Sequence, residues 1–344
     1  MCHHICPIGN ATGQERSTPR ARALGLSLVN REAMDISEVM DNVYECATCG
    51  ACVHECVTGW DPVMFAKEAR LQAALEDKLP SYINPLVDNC LEIGNAYGKT
   101  EVCESLWAMI KSHSEKKDIL FFLGADARYM VCGQAVSAVK VLESAGVDFT
   151  LLENEPASGA QLEFLIGKAD ETAAQMAACA EILNEYKTVV VYDPEDSKTV
   201  KQLYKEYGIE VKAAVITYTA YLASLLKENK LKANPSCREV VFQDPYQLAR
   251  DLEETEEARE VISAFAKLSE MHLNRKETIF AGNVLMAQYM PDVIQNVAKR
   301  RIFNAKSIGA KAIVTASVSE YAALSGVEQS EIEIISLDDL ILGK

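Results

Sequence analysis

Four cysteines within one short run, Cys46-Ala-Thr-Cys49-Gly-Ala-Cys52-Val-His-Glu-Cys56, constrain this chain more than any other feature. The spacing is C-x2-C-x2-C-x3-C. Three thiolates two residues apart can wrap one face of an iron–sulfide cubane, and the fourth cysteine of such a run ligates a different cluster in two-cluster ferredoxins. Gly50 and Ala51 suit the run, because inorganic sulfides need close approach by backbone N–H groups. The run therefore reads as a [4Fe–4S] electron-transfer site. A zinc knuckle is the plainer alternative, but zinc sites usually split into two separated C-x2-C pairs.

A second, incomplete motif stands at the N-terminus. Cys2-His3-His4-Ile5-Cys6-Pro7 has the C-x3-C-P form that closes a ferredoxin motif. By that logic Cys6 crosses over to complete the cluster of Cys46, Cys49 and Cys52. Cys56 crosses to another cluster, together with Cys2 and two cysteines upstream of it that the sequence lacks. Two readings follow. Either the natural start lies upstream and the protein carries two [4Fe–4S] clusters, or it carries one, with Cys2 and Cys56 idle or supplemented by His3 or His4. The first is preferred.

With 344 residues, nearly half of them apolar, the chain is long enough for two or three domains. No apolar run is long enough for a transmembrane helix, and no signal peptide is visible. Of eleven cysteines, six fall in the two motifs. Cys90, Cys103, Cys132, Cys179 and Cys237 are scattered, as expected in a reducing cytoplasm. The net charge of −16 argues against nucleic acid or an anionic membrane as partner.

Each cysteine motif precedes a helix start: Ser17-Thr18-Pro19-Arg20, and Asp61-Pro62, whose helix should reach about Leu79. Leu24, Leu26 and Leu28 supply apolar surface to the first. From Asp118 onward strands and helices alternate, which implies a parallel sheet with helices on both faces. The expected strands are Ile119–Leu123, Asp148–Leu152 and Thr188–Tyr192, then Glu239–Phe242, one near Thr278, and Ala312–Thr315. The expected helices are Ala127–Ser144, Glu163–Tyr186 and one from about Glu195, then Leu252–Phe265 and Val284–Phe303. A repeat runs through this region: Gly159 precedes Asp193 by nearly the same interval as Gly282 precedes Ser317. The fold class is α/β, with duplicated parallel-sheet modules behind an α-helical ferredoxin-like N-terminal domain. The expected divisions are residues 1–79 (cluster domain), 80–117 (helical connector), 118–232 (first module) and 233–344 (second module).

This arrangement resembles the cysteine-rich CCG-domain iron–sulfur subunits of glycolate oxidase, anaerobic glycerol-3-phosphate dehydrogenase and heterodisulfide reductase. The resemblance rests on YECATCGACVHECVTGWDP, CPIGNATGQERSTPRARAL, DILFFLGADARY, LESAGVDFTLLE, VVFQDPYQLAR and GAKAIVTAS. In that family each module carries cysteines after its first strand, in a C-C-G turn, and in a C-x2-C after a later strand. Here the resemblance places Ala125, Ala157, Ser158, Asp193 and Asp196 at those positions in the first module. Tyr246, Phe280, Ala281, Ser317 and Glu320 take them in the second. The glycines of both turns remain, and the thiol chemistry is gone.

Asp193, Asp196 and Glu320 then read as solvated loop acids, or else as oxygen ligands for a hard metal. His54 reads as a surface residue. Arg16, Arg20 and Arg22 balance cluster charge or dock a partner, Trp60 shields a cluster or packs, and Met34, Met40 and Met64 are core. The resemblance implies a cytoplasmic electron-transfer subunit, itself without a catalytic residue, that exchanges electrons with a partner FAD-binding oxidoreductase of the glycolate, lactate or glycerol-phosphate type. A homo-oligomer is possible on the same grounds. The alternative is a non-catalytic structural or redox-sensing Fe–S assembly module.

Overall fold

The computed structural model describes residues 2–328 and 330–344, with only the backbone of Cys2. The N-terminal part is helical. Thr18 caps the helix Pro19–Asn30 by accepting the Ala21 N–H, and Asp61 caps Pro62–Leu75 by accepting those of Val63 and Met64. Both helices carry proline in the first turn, where no intrahelical donor is lost. Helices Asn84–Glu92 and Glu104–Ser112 lead into the sheets.

Two parallel sheets follow. The first holds β1 (Ile119–Phe122), β2 (Thr188–Val191) and β3 (Ala214–Thr217), in that order, with Thr150 bridging to Leu120 on the outer side of β1. The second holds β4 (Glu239–Gln243), β5 (Lys267–Ser269), β6 (Ala312–Thr315) and β7 (Glu333–Ser336), in the order β5-β4-β6-β7. Element for element the sheets correspond. β1 and β4 each lead into a turn of π-helix, Asp126–Met130 and Gln247–Asp251. β3 and β7 each lead into a helix capped by a hydroxyl, Thr217 or Ser336.

Strand residues alternate between two cores, as the two-residue pleat requires. Phe121, Val190, Val240, Phe242 and Val314 share one core between the sheets, with Tyr192 and Tyr218. Leu120, Phe122, Val189 and Val191 face outward onto Met176 and Leu183. Val241 and Ile313 face outward onto Ala298 and Ile302. The helical part packs against both sheets through a core that joins Ile8, Val43 and Tyr44 to Leu162, Phe164, Tyr246 and Phe280.

Several expectations need correction. Asp148–Leu152 is not a strand: Thr150 bonds to β1, but the Leu151 N–H turns to the carbonyl of His113. The segment near Thr278 is a loop, with the Thr278 hydroxyl on the Asp244 carbonyl, and the edge strand is β5. The helix expected over Glu163–Tyr186 is two, Ala160–Ile166 and Asp170–Leu183, broken at Gly167 (φ 65°). Val284–Phe303 is a short 3-10 turn followed by Pro291–Ser307, because Pro291 can only open a helix. Leu252–Phe265 shrinks to Glu257–Ser263, after Glu253 adopts a left-handed φ of 57°. Met64 is 58% exposed, so it does not belong to the core. Cys103 and Cys132 form a disulfide joining the helices Glu104–Ser112 and Cys132–Ser144, contrary to the fully reduced set expected.

Candidate functional site

Cys6, Cys46, Cys49 and Cys52 lie on one wall of a small cavity, each 5–8% exposed. Cys6 caps the helix Pro7–Thr12, its sulfur accepting the Gly9 N–H at 3.4 Å. Cys46 follows the helix Met40–Tyr44. Thr48 (φ 50°) and Gly50 (φ 70°) then turn the chain back on itself before the helix Ala51–His54, so Cys49 and Cys52 face the same cavity. A left-handed threonine costs on the order of 1 kcal/mol, and the surrounding loop must hold it.

Three arginines hold this wall. Arg22, buried, donates to the carbonyls of Asn42 (2.9 Å) and Ser17 (2.8 Å), tying the two cysteine segments together. Arg70, fully buried in Pro62–Leu75, donates to the carbonyls of Cys46 (2.7 Å) and Phe164 (2.6 Å). Arg250, at the end of the π-helical turn after β4, donates twice to the Cys49 carbonyl, at 2.9 and 2.7 Å. The backbone of two candidate ligand cysteines is thus pinned from outside the motif. Sequence reasoning passed over Arg70 and Arg250. The signal for Arg70 was a lone arginine on a face otherwise formed by Ala66, Ala69 and Ala73.

Burial pushes the Cys49 thiol up to about 11, against the opposing pull of Arg250. It also raises Cys6 and Cys52, and the neighbouring sulfurs add to the rise. Four thiolates at such a spot need a strongly positive partner. The donors are all soft sulfur, which selects iron–sulfur clusters, zinc or cuprous copper. Among the described residues no group of three or more His, Cys, Asp or Glu side chains is arranged to hold a single metal ion. Four cysteine thiols are the ligand set that a [4Fe–4S] cluster takes. The residues present therefore fit a [4Fe–4S] cluster.

Cys56 is not on this wall. It is half-exposed, with its sulfur 3.2 Å from the Thr58 hydroxyl, which lowers its pKa. The side chain of Cys2 lies outside the described residues, although the helix Cys2–Ile5 packs against Ala51–His54. His54 is exposed and bonded to Glu277 at 2.8 Å. His3 pairs with Glu15, and Arg16 with Glu45. Trp60 is half-exposed and packs edge-on against Phe65 at 5.2 Å.

The acids after β2 and β6 are not solvated, which overturns that expectation. Asp193, Asp196 and Glu320 are 3%, 7% and 3% exposed. Asp193 and Asp196 line a cavity of about 320 Å³ beside the first sheet, with Asp126, Glu155 and Glu195. Burial and the neighbouring carboxylates raise Asp193 well above the ordinary range and Asp196 to about 8.

Comparison with known proteins agrees with the cysteine geometry. Residues 1–60 match the 4Fe-4S dicluster domain. The chain is an iron–sulfur protein of the [4Fe–4S] type. It is 24% identical over 322 residues to an uncharacterised iron–sulfur protein of Methanocaldococcus jannaschii, covering 91% of this chain and 64% of that protein. It is 26% identical over 273 residues to a probable membrane-anchored ferredoxin of Chromohalobacter salexigens, covering 75% and 39%. It is 24% identical over 297 residues to a subunit of the dihydromethanophenazine:CoB–CoM heterodisulfide reductase of Methanosarcina acetivorans, covering 82% and 72%. The chain thus spans less than two thirds of the first two relatives. Among the described residues no helix is long and apolar enough to cross a membrane.

Proposed function

We propose that this chain is an electron-transfer subunit in which Cys6, Cys46, Cys49 and Cys52 hold one [4Fe–4S] cluster, while Cys2 and Cys56 belong to a second. The observation that carries the reading is the convergence of Cys6 with three cysteines some forty residues away on one buried wall. The cluster, when bound, accepts and releases one electron at a time. The chain's own residues do the rest. The Gly9 N–H bonds to the Cys6 sulfur, Arg22 sets positive charge beside Cys6 and Cys46, and burial keeps water off the thiolates. Each of these tunes the potential. The electrons come from or go to a separate oxidoreductase, for which an FAD-linked enzyme acting on a small hydroxy acid or polyol phosphate is the preferred partner. The relatives that are reductase subunits support such an assembly. The division into residues 1–79, 80–117, 118–232 and 233–344 and a cytoplasmic setting belong to the same proposal.

The test is iron and acid-labile sulfide per chain in anaerobically purified protein, with EPR of the dithionite-reduced sample. About four of each supports one cluster and about eight supports two. Cys46→Ser should abolish the first cluster's signal, and Cys56→Ser should leave it intact. Zinc without sulfide would leave a structural module in place of an electron carrier.

A further inference from the structure

Three guanidinium groups stand behind the cysteine wall, and among the described residues none of them has a carboxylate partner. Arg22, Arg70 and Arg250 donate to backbone carbonyls instead. The arginines that do meet a carboxylate are Arg16, Arg238, Arg259 and Arg275. A cation taken out of water without a counter-ion is costly. Three such groups around one set of thiols point to a counter-charge that the cysteines themselves supply as thiolates.

Arg250 is the one of the three that comes from an α/β sheet rather than from the helical part, 201 residues along the chain from Cys49. Its Nε and Nη2 donate to the Cys49 carbonyl at 2.9 and 2.7 Å, while Nη1 donates to the carbonyls of Lys276, at 3.1 Å, and Thr278. The fork thus joins the cysteine loop to the loop that follows β5. Gly50 gives it room: a Cβ at that turn would already lie 3.8 Å from Nε. The carboxylates near it along the chain and in that loop are engaged elsewhere, Asp251 with Lys198 at 3.1 Å, Glu253 with Lys276, and Glu277 with His54 at 2.8 Å. Arg250 therefore keeps its full charge. It is only half-buried, so its replacement leaves no large hole in the core.

From this arrangement we infer that Arg250 is a positioning residue for electron transfer. It fixes the Cys49 loop against the second sheet and sets its unpaired charge beside the cluster ligands, so that the second α/β module helps to fix the cluster's potential. The inference rests on the proposal that Cys6, Cys46, Cys49 and Cys52 hold a [4Fe–4S] cluster. Reduction by one electron adds one negative charge to that ligand set. A fixed positive charge next to it favours the reduced form and raises the potential, the more so where burial keeps water from screening it. No proton on Arg250 moves in the process, since a guanidinium stays charged at every working pH.

The test is an anaerobic, EPR-monitored titration of the full chain with dithionite, with iron and acid-labile sulfide measured on every sample. It follows the cluster whose signal Cys46→Ser abolishes. Arg250→Gln removes the charge and should lower that cluster's midpoint potential. The ratio of reduced to oxidised cluster at the parent's midpoint should fall about tenfold, which is ~59 mV for a one-electron couple. Arg250→Lys keeps the charge without the fork and should return most of that shift. Arg238→Gln, at the opposite end of β4, also removes one positive charge and should leave the potential where it was. An unchanged potential in iron-replete Arg250→Gln overturns the inference and leaves the electron-transfer reading standing. So does an Arg250→Lys potential as low as that of Arg250→Gln. If Arg250→Gln retains no iron, Arg250→Lys decides: a cluster held near the parent's potential supports the inference, and a lost cluster overturns it. A parent protein without a reducible cluster overturns the electron-transfer reading, and this inference with it.

Discussion

After β2, Asp193 caps a helix whose third residue is Asp196; after β6, Ser317 caps a helix whose third residue is Glu320. The surroundings of these equivalent positions differ. In the second sheet the fully buried Arg301, from Pro291–Ser307, donates to Gln243 and to the carbonyls of His272 (3.1 Å) and Leu273 (3.0 Å), and faces Glu320. Phe280 and Tyr246 fill space nearby, with ring centroids 6.2 Å apart. Arg259 clamps Asp244 at 2.6 and 2.9 Å. The first sheet has more acids at this place and a hollow where the second has arginine and aromatic rings. The same framework is thus closed by its own side chains in one half and left open in the other. The contrast teaches that buried carboxyls on such a framework are met either by an internal counter-charge or by keeping their protons.

Breaking the closed half should have the largest effect. Arg301→Met strands the Gln243 oxygen and two carbonyls in the core, at a cost of about 4 kcal/mol. Hydrogen exchange should show faster opening of β4 and β6 while β1 and β2 hold. Equal loosening of both sheets would mean that the two halves do not have separate stabilities. Next in size is an asymmetry confined to the first half, the disulfide between Cys103 and Cys132. Closing a loop of 29 residues is worth about 3.6 kcal/mol by chain entropy. Cys132→Ser should lower the urea midpoint of oxidised protein and leave reduced protein unchanged. Thiol counting on denatured protein, with and without reductant, shows whether the bond forms.

The turn glycines sharpen the comparison further. At Gly282 (φ 132°) an added Cβ would meet the Ala323 Cβ at 2.3 Å, with no flexible atom to give way. At Gly159 (φ 85°) it would meet the Met176 Cγ at 2.6 Å, and a methionine can move. Gly282→Ala should therefore cost about 3 kcal/mol and Gly159→Ala about 1–2. Thermal midpoints of the two variants give the ranking, and a reversed order would break it.

How far the sequence revealed this depended on the kind of signal. That Cys6 meets Cys46, Cys49 and Cys52 around one cavity was legible from the motif spacing, and Thr18-Pro19 and Asp61-Pro62 carry their own helix starts. β1, β2, β4 and β6 were legible as apolar runs buried on both faces. β3 and β7 were missed. Each is a four-residue edge strand that runs directly into a helix, Tyr218–Lys227 or Leu337–Ile341, so no loop marks the boundary. The burial of Asp193, Asp196 and Glu320 was misread for a different reason. A carboxylate in a loop signals solvent by residue type, and only the tertiary arrangement puts Ser158, Gln243 and Arg301 against it.

The finest test of the two halves is their response to pH. Burial holds Asp196 and Glu320 each at about 8, against ordinary values of 3.8 and 4.5. Between the ordinary and the raised value the folded chain binds a proton that the unfolded chain has released. Stability therefore falls as pH rises through that window, by at most about 1.4 kcal/mol per pH unit for each group, and levels off above the raised value. Glu320→Gln and Asp196→Asn should each flatten the slope of the urea midpoint between pH 5.5 and 8. A slope untouched by Glu320→Gln would show that Arg301 keeps Glu320 ionised throughout, and would make the closed half more fully neutralised than its burial implies.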